Sequence, residues 1–214
     1  MSARYEGDPM NIIKRLPKVH GWLETKLPQE AMDHLWDCIN TARGQRWNHK
    51  LAGHIEKSFK IEDKGNWFWN NVVRPHIDEY GKQFNHHHSR ISVKGHNLST
   101  YLDILWVNYS KQHEFNPFHD HDGVYSFVVW MKIPTYHDEQ NQLDNAKDLE
   151  RPLNSTFQFT YSNSLGDIMT SSYSMNPNKE GMMLFFPARL QHGVHPFYNC
   201  DEHRISIAGN ICLR

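Results

Sequence analysis

The stretch Asn116–Pro134, NPFHDHDGVYSFVVWMKIP, sets His119, Asp120, His121 and Asp122 in a row just before an apolar run from Tyr125 to Ile133. On an extended chain alternate side chains share a face. His119 and His121 therefore project together, while Asp120 and Asp122 point away. Two imidazoles on one strand edge are half of a metal site, so the remaining chain is searched for the other half.

Outward from this stretch the pattern is that of strands. Tyr101–Tyr109 (YLDILWVNY) alternates as a half-buried strand, and Tyr125–Ile133 has the continuous apolar character of a covered one. Ser155–Tyr161, the turn SNSLGD and Ile168–Met175 read as a hairpin, and Gly181–Pro187 and Arg204–Ile211 as further strands. The charged, amide-rich HDEQNQLDNAKDLERP, between Pro134 and Pro152, reads as an exposed loop of the length often used for lids or recognition.

The N-terminal part is different. A helix is predicted from Pro28 to near Gly44, with Ala31, Leu35, Cys38 and Ile39 as its buried stripe. A second is predicted from Asn66 to Phe84, with Pro75 kinking or splitting it. Residues 48–63 read as loop with a short helix, residues 1–28 as an irregular or short-strand lead-in, and the internal triplet His86–His88 as a solvated helix end. Two helices followed by seven or eight short strands predict a mainly β, α+β chain: a jelly roll or sandwich buttressed by N-terminal helices. A single domain is expected, with residues 1–97 as helical support and 98–214 as the β core.

Composition narrows the classes. A net charge of -1 leaves no electrostatic footprint for nucleic acid or an anionic membrane, which argues mildly against a nucleic-acid substrate. No apolar run is long enough to cross a bilayer, and MSARYEGDPMN lacks the apolar core of a signal peptide. Cys38, Cys200 and Cys212 are far apart and outside CxxC spacing, which fits a reducing compartment and a cytoplasmic location.

The second half of the site appears in FFPARLQHGVHPF, where an apolar strand stops at Pro187 and His192 follows, with His195 as its competitor. Strands distant in sequence lie side by side in a jelly roll, so His192 can close a site opened by His119 and His121. Arg204 opens the last strand, with Ser206 on the same face. A guanidinium deep in a barrel needs an anionic partner, and its planar fork suits a carboxylate. That partner is either Asp201, Glu202 or another structural acid, or a ligand. Asn108 shares a strand face with Trp106 and either points into the barrel or packs structurally.

The order HxH, SFVVWMKIP, FFPxxLxHxVxP and RxSIxxN resembles the iron(II)- and 2-oxoglutarate-dependent oxygenases over residues 98–213. With WVN at Trp106–Asn108 it is similar, more narrowly, to small oxygenases of marine tailed phages, which would put it in the cytoplasm of a host. The resemblance implies a double-stranded β-helix of cupin-like type, iron(II) held by His119, His121 and His192, and 2-oxoglutarate gripped by Arg204 with Ser206; Asn108, if it points into the barrel, faces the same cosubstrate. It implies a hydroxylase that converts 2-oxoglutarate and dioxygen to succinate and carbon dioxide as a C–H bond is hydroxylated; the primary substrate is not named. His121 departs from the family, because most members have an aspartate there, completing a two-histidine, one-carboxylate triad. Three readings stay open: His121 is itself a ligand, Asp122 reaches the iron through a strand bulge, or His121 stands behind the ligands. Two other functions stay open as well: a three-histidine cupin-like dioxygenase or isomerase that does not use 2-oxoglutarate, and an inactive binding module.

Overall fold

A computed structural model describes residues 20–42, 44–85 and 98–214 of the 214-residue chain. Most of the N-terminal lead-in and the His86–His88 triplet lie outside the described residues. The elements are β1 (Leu23–Lys26), α1 (Gln29–Asn40), β2 (Lys57–Ile61), α2 (Arg74–Phe84), β3 (Thr100–Ser110), β4 (Asn116–His119), β5 (Tyr125–Lys132), α3 (His137–Gln140), β6 (Thr156–Ser162), β7 (Ile168–Ser174), β8 (Met182–Pro187), β9 (Gln191–Val194) and β10 (Arg204–Leu213). The strands form two antiparallel sheets, one in the order β1-β8-β5-β10-β3-β2 and the other β4-β9-β6-β7. This is the jelly-roll arrangement of a double-stranded β-helix.

The unbroken apolar run of β5 follows from burial on both faces. Tyr125, Phe127, Val129 and Met131 pack under the helices with Leu35, Phe68, Val73, Ile77 and Tyr80. Trp130, on the other face, meets Phe157, Phe159, Leu184 and Phe186 in the core between the sheets. β10 has the same two-sidedness with a difference. Ile205 and Ile207 turn toward the helices, whereas Arg204, Ser206 and Ala208 face the space between the sheets.

α1 forms as predicted, starting after an extended Pro28 and burying Ala31, Leu35, Cys38 and Ile39. In the second helical segment the chain widens into a π-turn at Trp69–Val73, immediately before Arg74–Phe84. Pro75 has no N–H and its ring would crowd the carbonyl four residues back. The wider turn takes up that misfit, as π-bulges do, so the helix is neither split nor sharply broken. The start of this segment is held by Asp63, whose carboxylate accepts Phe68 N–H at 2.9 Å and Trp69 N–H at 2.8 Å.

Two expectations are corrected. Lys57–Ile61, read as part of a loop, is the edge strand β2, paired to β3 from Lys57↔Tyr109 to Ile61↔Leu105. Its lysines at positions 57 and 60 mask a strand whose Ser58 and Ile61 are the buried positions. The 134–152 segment is not a free loop: it contains α3, and Gln140 both donates to Tyr198 O and accepts from Tyr198 N–H, at 2.9 and 2.7 Å. Ala146, within the same segment, is buried.

Candidate metal centre

β4 and β9 are antiparallel neighbours in the smaller sheet, with His119 directly opposite His192. Each ring is oriented by the same local device. His119 Nδ1–H donates to Pro117 O at 2.7 Å and His192 Nδ1–H donates to Leu190 O at 2.8 Å, the carbonyl two residues upstream in both cases. A carbonyl can only accept, so Nδ1 carries the proton and the Nε2 lone pair is left for a metal. His121 lies beyond the end of β4, where its backbone N–H donates to Ala188 O at 2.8 Å and ties it to the turn after β8.

The three rings converge, with centroids 4.4 to 5.0 Å apart. One donor atom from each lies within 4.8 Å of the others. His121 Nε2 and His192 Nε2 are 3.1 Å apart. Two nitrogens bound at about 2.1 Å and a right angle to one metal stand about 3 Å apart, so this spacing suits neighbouring ligands of a single ion. Burial pushes the pKa of all three imidazoles down; for His121 and His192 the neighbouring histidines add to it, and for His119 the Pro117 carbonyl and Asp120 partly oppose it. The rings are thus neutral, the form a metal requires. Asp122 is exposed and is not one of the converging donors. Asp120 stands at the rim, 3.5 Å from Arg189.

Arg204 shares the cavity. Its side chain is fully buried, both terminal nitrogens donate to His195 O at 3.2 Å, and the guanidinium lies 5.2 Å from the centroid of the Phe197 ring. Burial lowers its pKa to about 10, so it stays charged at neutral pH. The nearby acids are engaged elsewhere, Asp201 with Gln112 and Glu202 with Lys132. Among the described residues no carboxylate pairs with Arg204. Ser206 and Asn108 are cross-strand neighbours beside it, and Ser58 Oγ donates to Asn108 Oδ1 at 2.6 Å, leaving the Asn108 amide hydrogens for the cavity.

These groups line a cavity of about 200 Å³. Val128, Trp130, Phe157 and Phe186 form apolar walls, and the segment from Lys50 to Ile55 covers one side. The cover sits tight: a Cβ at Gly53 would stand 1.9 Å from Asn116 Oδ1. The neutral nitrogens fit a divalent cation and the unpaired guanidinium fits a carboxylate. Sequence reasoning passed over Trp106 as a site residue; its place two residues from Asn108 on the same strand face is the signal that marks it.

A second group of donors, His34, Cys38 and Asp63, lies on the helix side of the larger sheet. Asp63 accepts from His34 Nε2 at 2.8 Å as well as from the two helix N–H groups, so its oxygens are already taken by a cap.

A family model described as "Putative 2OG-Fe(II) oxygenase" matches residues 104–210, half of the chain. No match was found among curated proteins. Among solved structures, OsALKBH1 superposes with a TM-score of 0.50 at 12% identity, over 92% of this chain and 98% of that one. The non-heme alpha ketoglutarate dependent epimerase SnoN from nogalamycin biosynthesis gives 0.50 at 13% identity, over 90% and 77%. A Pseudomonas putida prolyl-4-hydroxylase gives 0.47 at 12%, over 91% and 94%. At these identities the likeness to the first two is one of fold.

Proposed function

The chain belongs to the 2OG-Fe(II) oxygenases, whose cofactors are iron(II) and 2-oxoglutarate, and on that premise we propose that it hydroxylates a C–H bond of its primary substrate while 2-oxoglutarate is decarboxylated to succinate. One observation carries the reading. A buried guanidinium with no acid partner among the described residues shares one small cavity with three neutral, converging imidazoles.

His119, His121 and His192 would hold the iron, the outer two with Nδ1–H fixed on Pro117 and Leu190, so that no proton need leave on binding. Arg204 would take the distal carboxylate of 2-oxoglutarate, with the Ser206 hydroxyl and the Asn108 amide as neighbouring donors. Iron(II) with 2-oxoglutarate and dioxygen supplies the oxidising power, while the protein positions the reactants and excludes water. The aromatic walls serve that exclusion. Three neutral ligands leave the ion's charge less compensated than a carboxylate triad does, which shifts its redox poise and ligand exchange.

Within the family we group the chain, on WVN and NPFHDH, with the small oxygenases of marine tailed phages, working in the cytoplasm of a host. We also take the chain as one domain with a 98–214 core, to which the described part of residues 1–97 adds helical support from α1 and α2 and, beyond the helical support expected from sequence, the edge strands β1 and β2. Iron(II)-loaded protein given 2-oxoglutarate in air should form succinate, and His192→Ala should form none; the absence of succinate from the wild type would remove the proposed activity. The lack of a carboxylate among the three converging donors favours a second reading, a cupin-like dioxygenase or isomerase that needs no 2-oxoglutarate. That reading predicts metal retention without any response to 2-oxoglutarate.

A further inference from the structure

One polar group of the cavity wall remains unexplained by these roles. Trp106 is 2% exposed, and its Nε1–H is buried without a hydrogen-bond acceptor among the described residues. Such an orphan is uncommon in a folded protein and costs about 1–3 kcal/mol. An aromatic wall without a polar atom would fill the same space without this cost. Trp106 lines the cavity, and its ring centroid is 5.6 Å from that of His121. Along the strands it stands at the opposite end of the site from Arg204. Trp106 pairs with Ala208, four residues along β10 from Arg204, whereas Arg204 itself pairs with Ser110. At about 3.4 Å per residue that separates the two backbones by about 14 Å, with Ser206 and Asn108 between them.

We propose that the Trp106 indole N–H donates to the carboxylate of 2-oxoglutarate at the end nearest the histidines, opposite the end gripped by Arg204. This rests on the reading of the cavity as a 2-oxoglutarate site. The two donors would fix both ends of a short dicarboxylate, and the indole would contribute a hydrogen bond where His121 brings no anionic acceptor. Trp106 is on this view a positioning residue for the cosubstrate. Hydrogen bonds to charged groups contribute roughly 1.5–3 kcal/mol, so loss of this one should weaken binding by about ten-fold or more.

The test uses zinc(II)-loaded full-length protein, which is diamagnetic and does not turn over. The chain has 7 tryptophans, whose indole N–H signals are resolved in a ¹⁵N–¹H spectrum. One signal, missing in Trp106→Phe, is expected to move downfield when 2-oxoglutarate is added and not when zinc alone is added. By calorimetry Trp106→Phe should bind 2-oxoglutarate about ten-fold more weakly, while the ligand-free unfolding temperature changes little, because removing the orphaned N–H offsets the packing lost with the smaller ring. If the wild type binds 2-oxoglutarate but no indole signal responds, or the variant binds it equally well, the role of Trp106 is overturned while the cosubstrate site stands. If the wild type does not bind 2-oxoglutarate at all, both fall. Should the variant not fold, the responding signal is assigned in the wild type by its nuclear Overhauser contact with the His121 ring, whose centroid is 5.6 Å from that of Trp106; a responding indole without that contact overturns the role of Trp106 as well.

Discussion

Arg204 is where residue-scale energetics speak most plainly. A charged guanidinium held out of water without an acid is a cost to the empty protein, and the observed partners are one shared carbonyl and an aromatic face. Replacing it by Met should therefore leave the unfolding temperature of the ligand-free protein unchanged or higher, while weakening 2-oxoglutarate binding by about 100-fold; differential scanning calorimetry and a binding titration check the two halves. His192→Ala should instead lower affinity for manganese(II) by at least about 100-fold, measured by equilibrium dialysis with metal analysis, and should leave the fold intact. His119, His192 and Arg204 were legible in the sequence because they sit at fixed offsets from strand signals. Asp122 was not so easily set aside, since a bulge after His119 would have turned it inward. The chain instead ties His121 to Ala188 O and leaves Asp122 exposed.

At the scale of elements, most strands were legible because both faces of the larger sheet are buried, which leaves long apolar runs at β5 and β8. β2 was hidden because an edge strand carries charge, and its lysines read as solvent-facing loop. β4 and β9, four residues each, are too short for any periodicity to show. They nevertheless hold two of the three imidazoles, so the most functional elements are the least visible ones. The helical segment after Asp63 offers its own test. Asp63→Ala removes the acceptor of two helix N–H groups and the His34 contact, and should destabilise the protein by about 2 kcal/mol. For a chain of this size that is roughly 4–8 °C in Tm, by thermal melting. Metal and 2-oxoglutarate affinity should not change, because the cap lies on the opposite face of the sheet from the cavity.

For the molecule as a whole, the site imposes a pH dependence. His119, His121 and His192, together with His76 of α2, are all held below the ordinary imidazole pKa, chiefly by burial. The unfolded chain takes up protons on these groups near pH 6.5 and below, while the folded chain does so only at lower pH. Stability is therefore full above about pH 7 and is lost as pH falls from there, by up to about 1.4 kcal/mol per pH unit for each such ring. Metal-free protein should show a steep fall in Tm between pH 7 and pH 5 in thermal melts. A fold of two antiparallel sheets with helices on one side thus keeps three neutral imidazoles and a guanidinium around one small cavity, at the expense of acid tolerance. The most direct test of the central claim, that this cavity binds a metal and 2-oxoglutarate together, is thermal unfolding with manganese(II) under argon. The expected result is that 2-oxoglutarate raises Tm by several degrees when manganese is present, and fails to do so in His192→Ala and in Arg204→Met. An unchanged Tm on adding 2-oxoglutarate to the metal-loaded wild type, or an equal rise in all three proteins, would contradict it.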